Sequence, residues 1–97
     1  MSLLQKLSCL EAEIDKIIDL MYSEIRNLSI QKGYIQLCNS PLQYLIFYKE
    51  IDDFGVGYEG SENLKTTFLM RYSKELNHSD IIVLYKKCFK MGLIKDI

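Results

Sequence analysis

Asn39-Ser40-Pro41-Leu42-Gln43-Tyr44-Leu45-Ile46-Phe47-Tyr48 reads two ways, and the choice sets the fold class of this 97-residue chain. Ser40 as N-cap, Pro41 at the first helical position and Gln43 closing a capping box make a helix start. Tyr44, Phe47, Tyr48, Ile51 and Phe54 would then share one helical face. Against this, Tyr44–Tyr48 is rich in strand formers, and Asp52 and Asp53 sit badly against the negative end of a helix dipole. The stretch is read as a helix. The alternative is a short β-hairpin within residues 34–50, turning at Asn39-Ser40-Pro41 after a strand at Tyr34–Cys38.

Upstream, Leu3, Leu7, Leu10, Ile14, Ile17, Met21 and Leu28 recur at alternating spacings of four and three, interrupted only at Glu24. The spacing predicts one long amphipathic helix over residues 3–31, with a heptad seam of the coiled-coil kind. Gly33 stands where a helix C-terminus favours glycine. Such a helix is about 40 Å long, against a radius of gyration of about 13 Å for a compact chain of this size. It therefore either pairs with a second copy or carries the other helices along it.

Downstream, Gly55-Val56-Gly57-Tyr58-Glu59-Gly60 reads as a flexible loop. A helix over 62–76 would bury Leu64, Phe68, Leu69, Tyr72 and Leu76. Asn77-His78 breaks it, and Ser79 caps a further helix over 80–91 that Gly92 ends. The expected fold is thus mostly α: a single domain over 1–97, with the long heptad helix and a helix-turn-helix-like hairpin over 62–91.

Hydrophobic residues make up 48% and charged residues 26%, the balance of a folded domain rather than a disordered chain. Net charge is −1, but residues 1–60 carry 5 Lys/Arg against 9 Asp/Glu and residues 61–97 carry 7 against 4. Cys9, Cys38 and Cys88 are odd in number and form no close pair, so they read as reduced, buried thiols. The N-terminus has no signal-peptide pattern, and no apolar run is long enough to cross a membrane. A cytoplasmic protein is expected.

The glycine stretch has the letters of a phosphate-binding loop, but Asp52, Asp53, Glu59 and Glu62 around it would repel phosphate. The same acids lack the alternate spacing of a calcium loop. His78 is the only histidine and no Cys-x-x-Cys pair accompanies it, so no zinc site is expected. Cys38 or Cys88 with His78 is the only nucleophile–base combination available, and no local signature supports it. No catalytic residue, cofactor, metal or small-molecule substrate is assigned, and the chain is expected not to be an enzyme.

Two functions remain. The first is a protein–protein interaction module acting as a regulator, adaptor or inhibitor. It would be a homodimer or partner-bound through Leu7, Leu10, Ile14, Ile17 and Met21, with Tyr58 as an exposed contact. Seven tyrosines fit such a role, since tyrosine is enriched at interfaces. The alternative is a helix-turn-helix DNA-binding regulator, in which Lys86, Lys87 and Lys90 on the last helix meet phosphates.

Overall fold

A computed structural model describes residues 2–6, 14–39, 42–62 and 65–95. Its elements, in chain order, are helices α1 (Leu3–Lys6) and α2 (Ile14–Lys32), strands β1 (Tyr34–Asn39), β2 (Leu42–Tyr48), β3 (Asp53–Glu62) and β4 (Lys65–Tyr72), a 3-10 turn at Ser73–Glu75, and helix α3 (His78–Lys90). The four strands make one antiparallel sheet in the order β1-β2-β3-β4. This is an α+β fold, and it corrects the mostly helical, coiled-coil expectation.

The correction falls on three stretches. Residues 42–48 are strand β2, paired with β1, so the helix expected from Ser40 to Phe54 is absent; Ser40 and Pro41 themselves lie outside the described residues. The glycine stretch is no loop but part of β3, paired with β2 as far as Tyr58 and with β4 throughout. Most of the helix expected over 62–76 is β4, and the 3-10 turn follows it. With that helix gone, no helical hairpin exists over 62–91. The long helix expected over 3–31 is described as α1 and α2, and residues 7–13 lie outside the described residues.

The chain forms two compact units, Ser29–Leu76 and Met1–Leu28 with Asn77–Ile97. In the sheet unit, Gly33 ends α2 at φ 73°, and its N–H donates to the Ser29 carbonyl at 2.7 Å. That is the single-bond left-handed helix stop, which glycine adopts without steric cost. Directly opposite residues in the sheet share a face. Ile35, Leu45 and Val56 therefore lie on one face, with Phe47 and Phe54 beside them. Leu45, Phe54 and Val56 are fully or almost fully buried. Between Gln36 and Cys38 the β1–β2 register shifts, leaving Leu37 as the extra residue of a β-bulge. Leu37 is buried, and Cys38 stands opposite the buried Gln43.

In the helical unit, α2 buries Ile17, Ile18, Met21, Ile25 and Leu28, while α3 buries Ile81, Leu84, Tyr85 and Cys88. Both sets recur at three- and four-residue spacing, the signature of one buried helical stripe. Asn77, not Ser79, caps α3. Its Oδ1 accepts from Asp80 N at 2.9 Å, and Asp80 Oδ2 accepts from Asn77 N at 3.1 Å. At the other end Gly92 N donates to Phe89 O and Leu93 N to Cys88 O, the paired bonds of a Schellman stop at φ 74°.

Candidate functional site: a tyrosine face on the sheet

Side chains alternate between the two faces of a strand, so the face opposite Leu45 and Val56 follows directly from the register. One row across the sheet reads Tyr34, Ile46, Gly55, Tyr72, and the next reads Gln36, Tyr44, Gly57, Met70. Tyr48, opposite Asp53, completes it. Four of the seven tyrosines thus converge on one surface. Tyr34 and Tyr72 are 54% and 43% exposed, whereas Tyr44, Ile46, Tyr48 and Met70 are half-buried. An exposed aromatic array of this kind is the exception on a soluble surface, and it marks contact sites more often than chance scatter does.

The tyrosines form two pairs. The rings of Tyr34 and Tyr44 lie 5.0 Å apart at a tilt of 31°. Those of Tyr48 and Tyr72 meet edge to face at 5.5 Å. Such geometries are favoured by the ring quadrupole. The second pair crosses β3, and Gly55 makes the crossing possible. A Cβ there would lie 2.8 Å from Tyr48 Cε2 and 3.2 Å from the Arg71 carbonyl oxygen. With no Cβ, the Tyr48 ring lies down over the strand, and its hydroxyl donates to Met70 Sδ at 3.2 Å.

Polar bonds pin the end of the sheet that carries Tyr72. Ser73 Oγ donates to Asp53 Oδ2 at 2.9 Å, Phe54 N to Asp53 Oδ1 at 2.9 Å, and Tyr72 N to Glu75 Oε2 at 3.1 Å. The Asp53 carboxylate is therefore satisfied within the fold. Arg71, directly opposite Val56, belongs to the other face, and its guanidinium donates to the Glu75 carbonyl. The two described tyrosine rows carry no lysine or arginine.

Tyr34 and Tyr48 stay neutral near pH 7. Desolvation raises the Tyr34 pKa, helped by its hydrogen bond with Tyr44. Desolvation likewise raises that of Tyr48, followed by the influence of Tyr72 and Glu50. The hydroxyls remain hydrogen-bond donors as well as acceptors.

The residues singled out from sequence lie elsewhere. Leu7, Leu10 and Cys9 fall outside the described residues. Ile14 is half-buried, and Ile17 and Met21 are 3% and 0% exposed, so a second copy cannot reach them while the chain stays folded. Tyr58 is half-buried in β3, on the same face as Phe54 and Val56. Lys86 and Lys90 are exposed on α3 and Lys87 is half-buried, but β4 stands where helix-turn-helix geometry needs a preceding helix. His78 Nε2 lies 3.6 Å from Asp15 Oδ1, both well exposed, a pair worth little. Cys38 and Cys88 are in no disulfide, and burial pushes the Cys88 thiol up to about 11, far from a reactive thiolate. Among the described residues no three metal-ligating side chains cluster, and no helix is long and apolar enough to cross a membrane.

The tyrosine face carries its own sequence signal, Tyr44-x-Ile46-x-Tyr48 and Met70-x-Tyr72 at a period of two. The continuous apolar run hides it, because Leu45 and Phe47 fill the gaps. No protein-family model, curated protein or solved structure matches the chain.

Proposed function

We propose that this chain is a small non-enzymatic protein-interaction module, a regulator or adaptor of a reducing cytosol, that engages its partner through the tyrosine face of its sheet. The observation that carries the reading is the convergence of Tyr34, Tyr44, Tyr48 and Tyr72 on one partly exposed surface. Aromatic and methionine enrichment with depletion of charge is the compositional mark of an interface centre. Tyrosine suits it because a large rigid ring is immobilised at low entropic cost while its hydroxyl still bonds. Two cysteines outside any disulfide suit a reducing compartment.

Site-directed photocrosslinking tests the reading. A benzophenone amino acid at position 34 or 72 of the full chain, irradiated in extract of its native cells, should give discrete protein adducts. Excess wild-type chain should compete them away, and Tyr34→Ala/Tyr72→Ala should not. Adducts formed only from position 86 on α3 would move the contact surface to the lysine stripe and sink the proposal.

A further inference from the structure

The border of the sheet beside Tyr72 has a chemistry of its own. Strand β4 is eight residues long, contains no proline, and pairs with β3 along its whole length without a shift in register. It is the last strand of the sheet, so its outer side pairs with no strand among the described residues.

Two contacts fix which backbone groups of β4 face outward. A Cβ on Gly55 would stand 3.2 Å from the Arg71 carbonyl oxygen, which places that oxygen on the β3 side. Across a trans peptide the next N–H points the opposite way. The Tyr72 N–H does so, donating to Glu75 Oε2 at 3.1 Å. Backbone groups of a strand alternate between its two edges from one residue to the next. Met70, Phe68 and Thr66 therefore also present N–H and C=O outward, about 6.7 Å apart, while Arg71, Leu69 and Thr67 turn theirs to β3. The Glu75 carboxylate closes the row at Tyr72.

A row of paired donors and acceptors at that repeat matches the backbone of another extended strand. A helix spends its own backbone groups internally, and a phosphate backbone offers the outward carbonyls no donor. An added strand also continues the rows that end in Tyr72 and Met70, so its alternate side chains stand beside those two. A second copy fits poorly. Two β4 strands bond antiparallel through all three outward residues only in the register centred on Phe68, which sets Lys65 of each copy opposite Arg71 of the other. Like charges directly opposite destabilise a pair.

We infer that the outer edge of β4 takes an extended strand of the partner protein, bonded through Thr66, Phe68 and Met70, with alternate apolar side chains beside Met70 and Tyr72. This rests on the reading of the tyrosine face as the contact surface, which the added strand would extend by one row.

The free chain tests the edge first. In residue-resolved hydrogen exchange, the amides of Thr66, Phe68 and Met70 should exchange at least about tenfold faster than those of Thr67, Leu69 and Arg71. Equal protection of all six overturns the inference, and protection of the first three that rises with protein concentration gives the edge to a second copy and overturns it too. The probe is then the peptide acetyl-Lys-Thr-Val-Thr-Val-Thr-Val-Lys-amide, titrated into the full, isotopically labelled chain. It should protect Thr66, Phe68 and Met70 at least about tenfold, with a Kd in the micromolar to millimolar range. Residues opposite one another share a face, so valines on the tyrosine side turn their amides to β4. N-methylating the valines should abolish binding, whereas N-methylating the threonines should change the Kd less than about threefold. Phe68→Pro removes an outward N–H and breaks no bond to β3, so it should weaken binding at least about tenfold, and Phe68→Ala less. Amide dispersion checks that each variant is folded, and the two methylated peptides decide where Phe68→Pro is disordered. No new protection up to about 5 mM peptide, equal binding of the two methylated peptides, or protection confined to α3 overturns the inference. If the peptide fails while position 34 still crosslinks to a protein, the interface reading stands and strand addition alone falls.

Discussion

Gly55 is where one missing atom organises the site. A methyl group there meets Tyr48 Cε2 at 2.8 Å and the backbone oxygen of Arg71 at 3.2 Å. The ring must lift, and its bond to Met70 goes with it. Gly55→Ala should destabilise the chain by about 1–2 kcal/mol, overpacking outweighing the strand entropy that alanine recovers. Urea denaturation checks this, and Tyr48→Ala should cost less when added to Gly55→Ala than when made in the wild-type chain. Cys88 gives a pH-dependent counterpart. Its thiol is raised in the folded chain from an ordinary 9.0 to about 11, so folding favours the protonated form. The stability this contributes is present below pH 9 and is lost as pH climbs toward 11, at about 1.4 kcal/mol per unit. Denaturation midpoints should fall between pH 9 and 10 in wild type and stay nearly level in Cys88→Ala. Above that interval Tyr34 and Tyr48, also raised, add their own loss.

Among the elements, helix ends and the alternative hairpin within residues 34–50 were legible in the sequence, whereas β3 and β4 were not. Gly33 and Gly92 stop α2 and α3 where their letters say, because a left-handed backbone is a local demand that glycine meets alone. A strand is stabilised by its neighbours, and its signal depends on one face being polar. In β2 the outer face carries Tyr44, Ile46 and Tyr48, so the alternation that would announce a strand is missing. The feature that makes the face a binding candidate is the one that disguised it. In β3 the glycines imitate a loop, and in β4 the spacing of Phe68, Leu69 and Tyr72 imitates a helix. The α3 cap was misplaced by two residues, because Ser79 and Asn77 both suit the position and the reciprocal Asp80 bond decides for Asn77. Asn77→Ala should cost about 1 kcal/mol, and Ser79→Ala much less, in the same denaturation assay.

For the whole molecule, the sequence expectation of a shared seam and the observed burial predict different concentration behaviour. Ile17 and Met21 are enclosed within one chain. Ile17→Asp should therefore lower stability by several kcal/mol, with a midpoint that does not move with protein concentration. A seam completed by a second copy would make both wild-type and variant midpoints rise with concentration. The bulge at Leu37 matters to what copies of this chain do in a crowd. Strand β1 borders the sheet, and an extended border invites further chains to stack on it without limit. Here the register breaks at Leu37, and the Gln36 side chain donates to the Cys38 carbonyl and to Asn39 Oδ1. That occupies an acceptor an incoming chain would use. A bulge and an occupied carbonyl on the same strand blunt that border against the addition of a further strand.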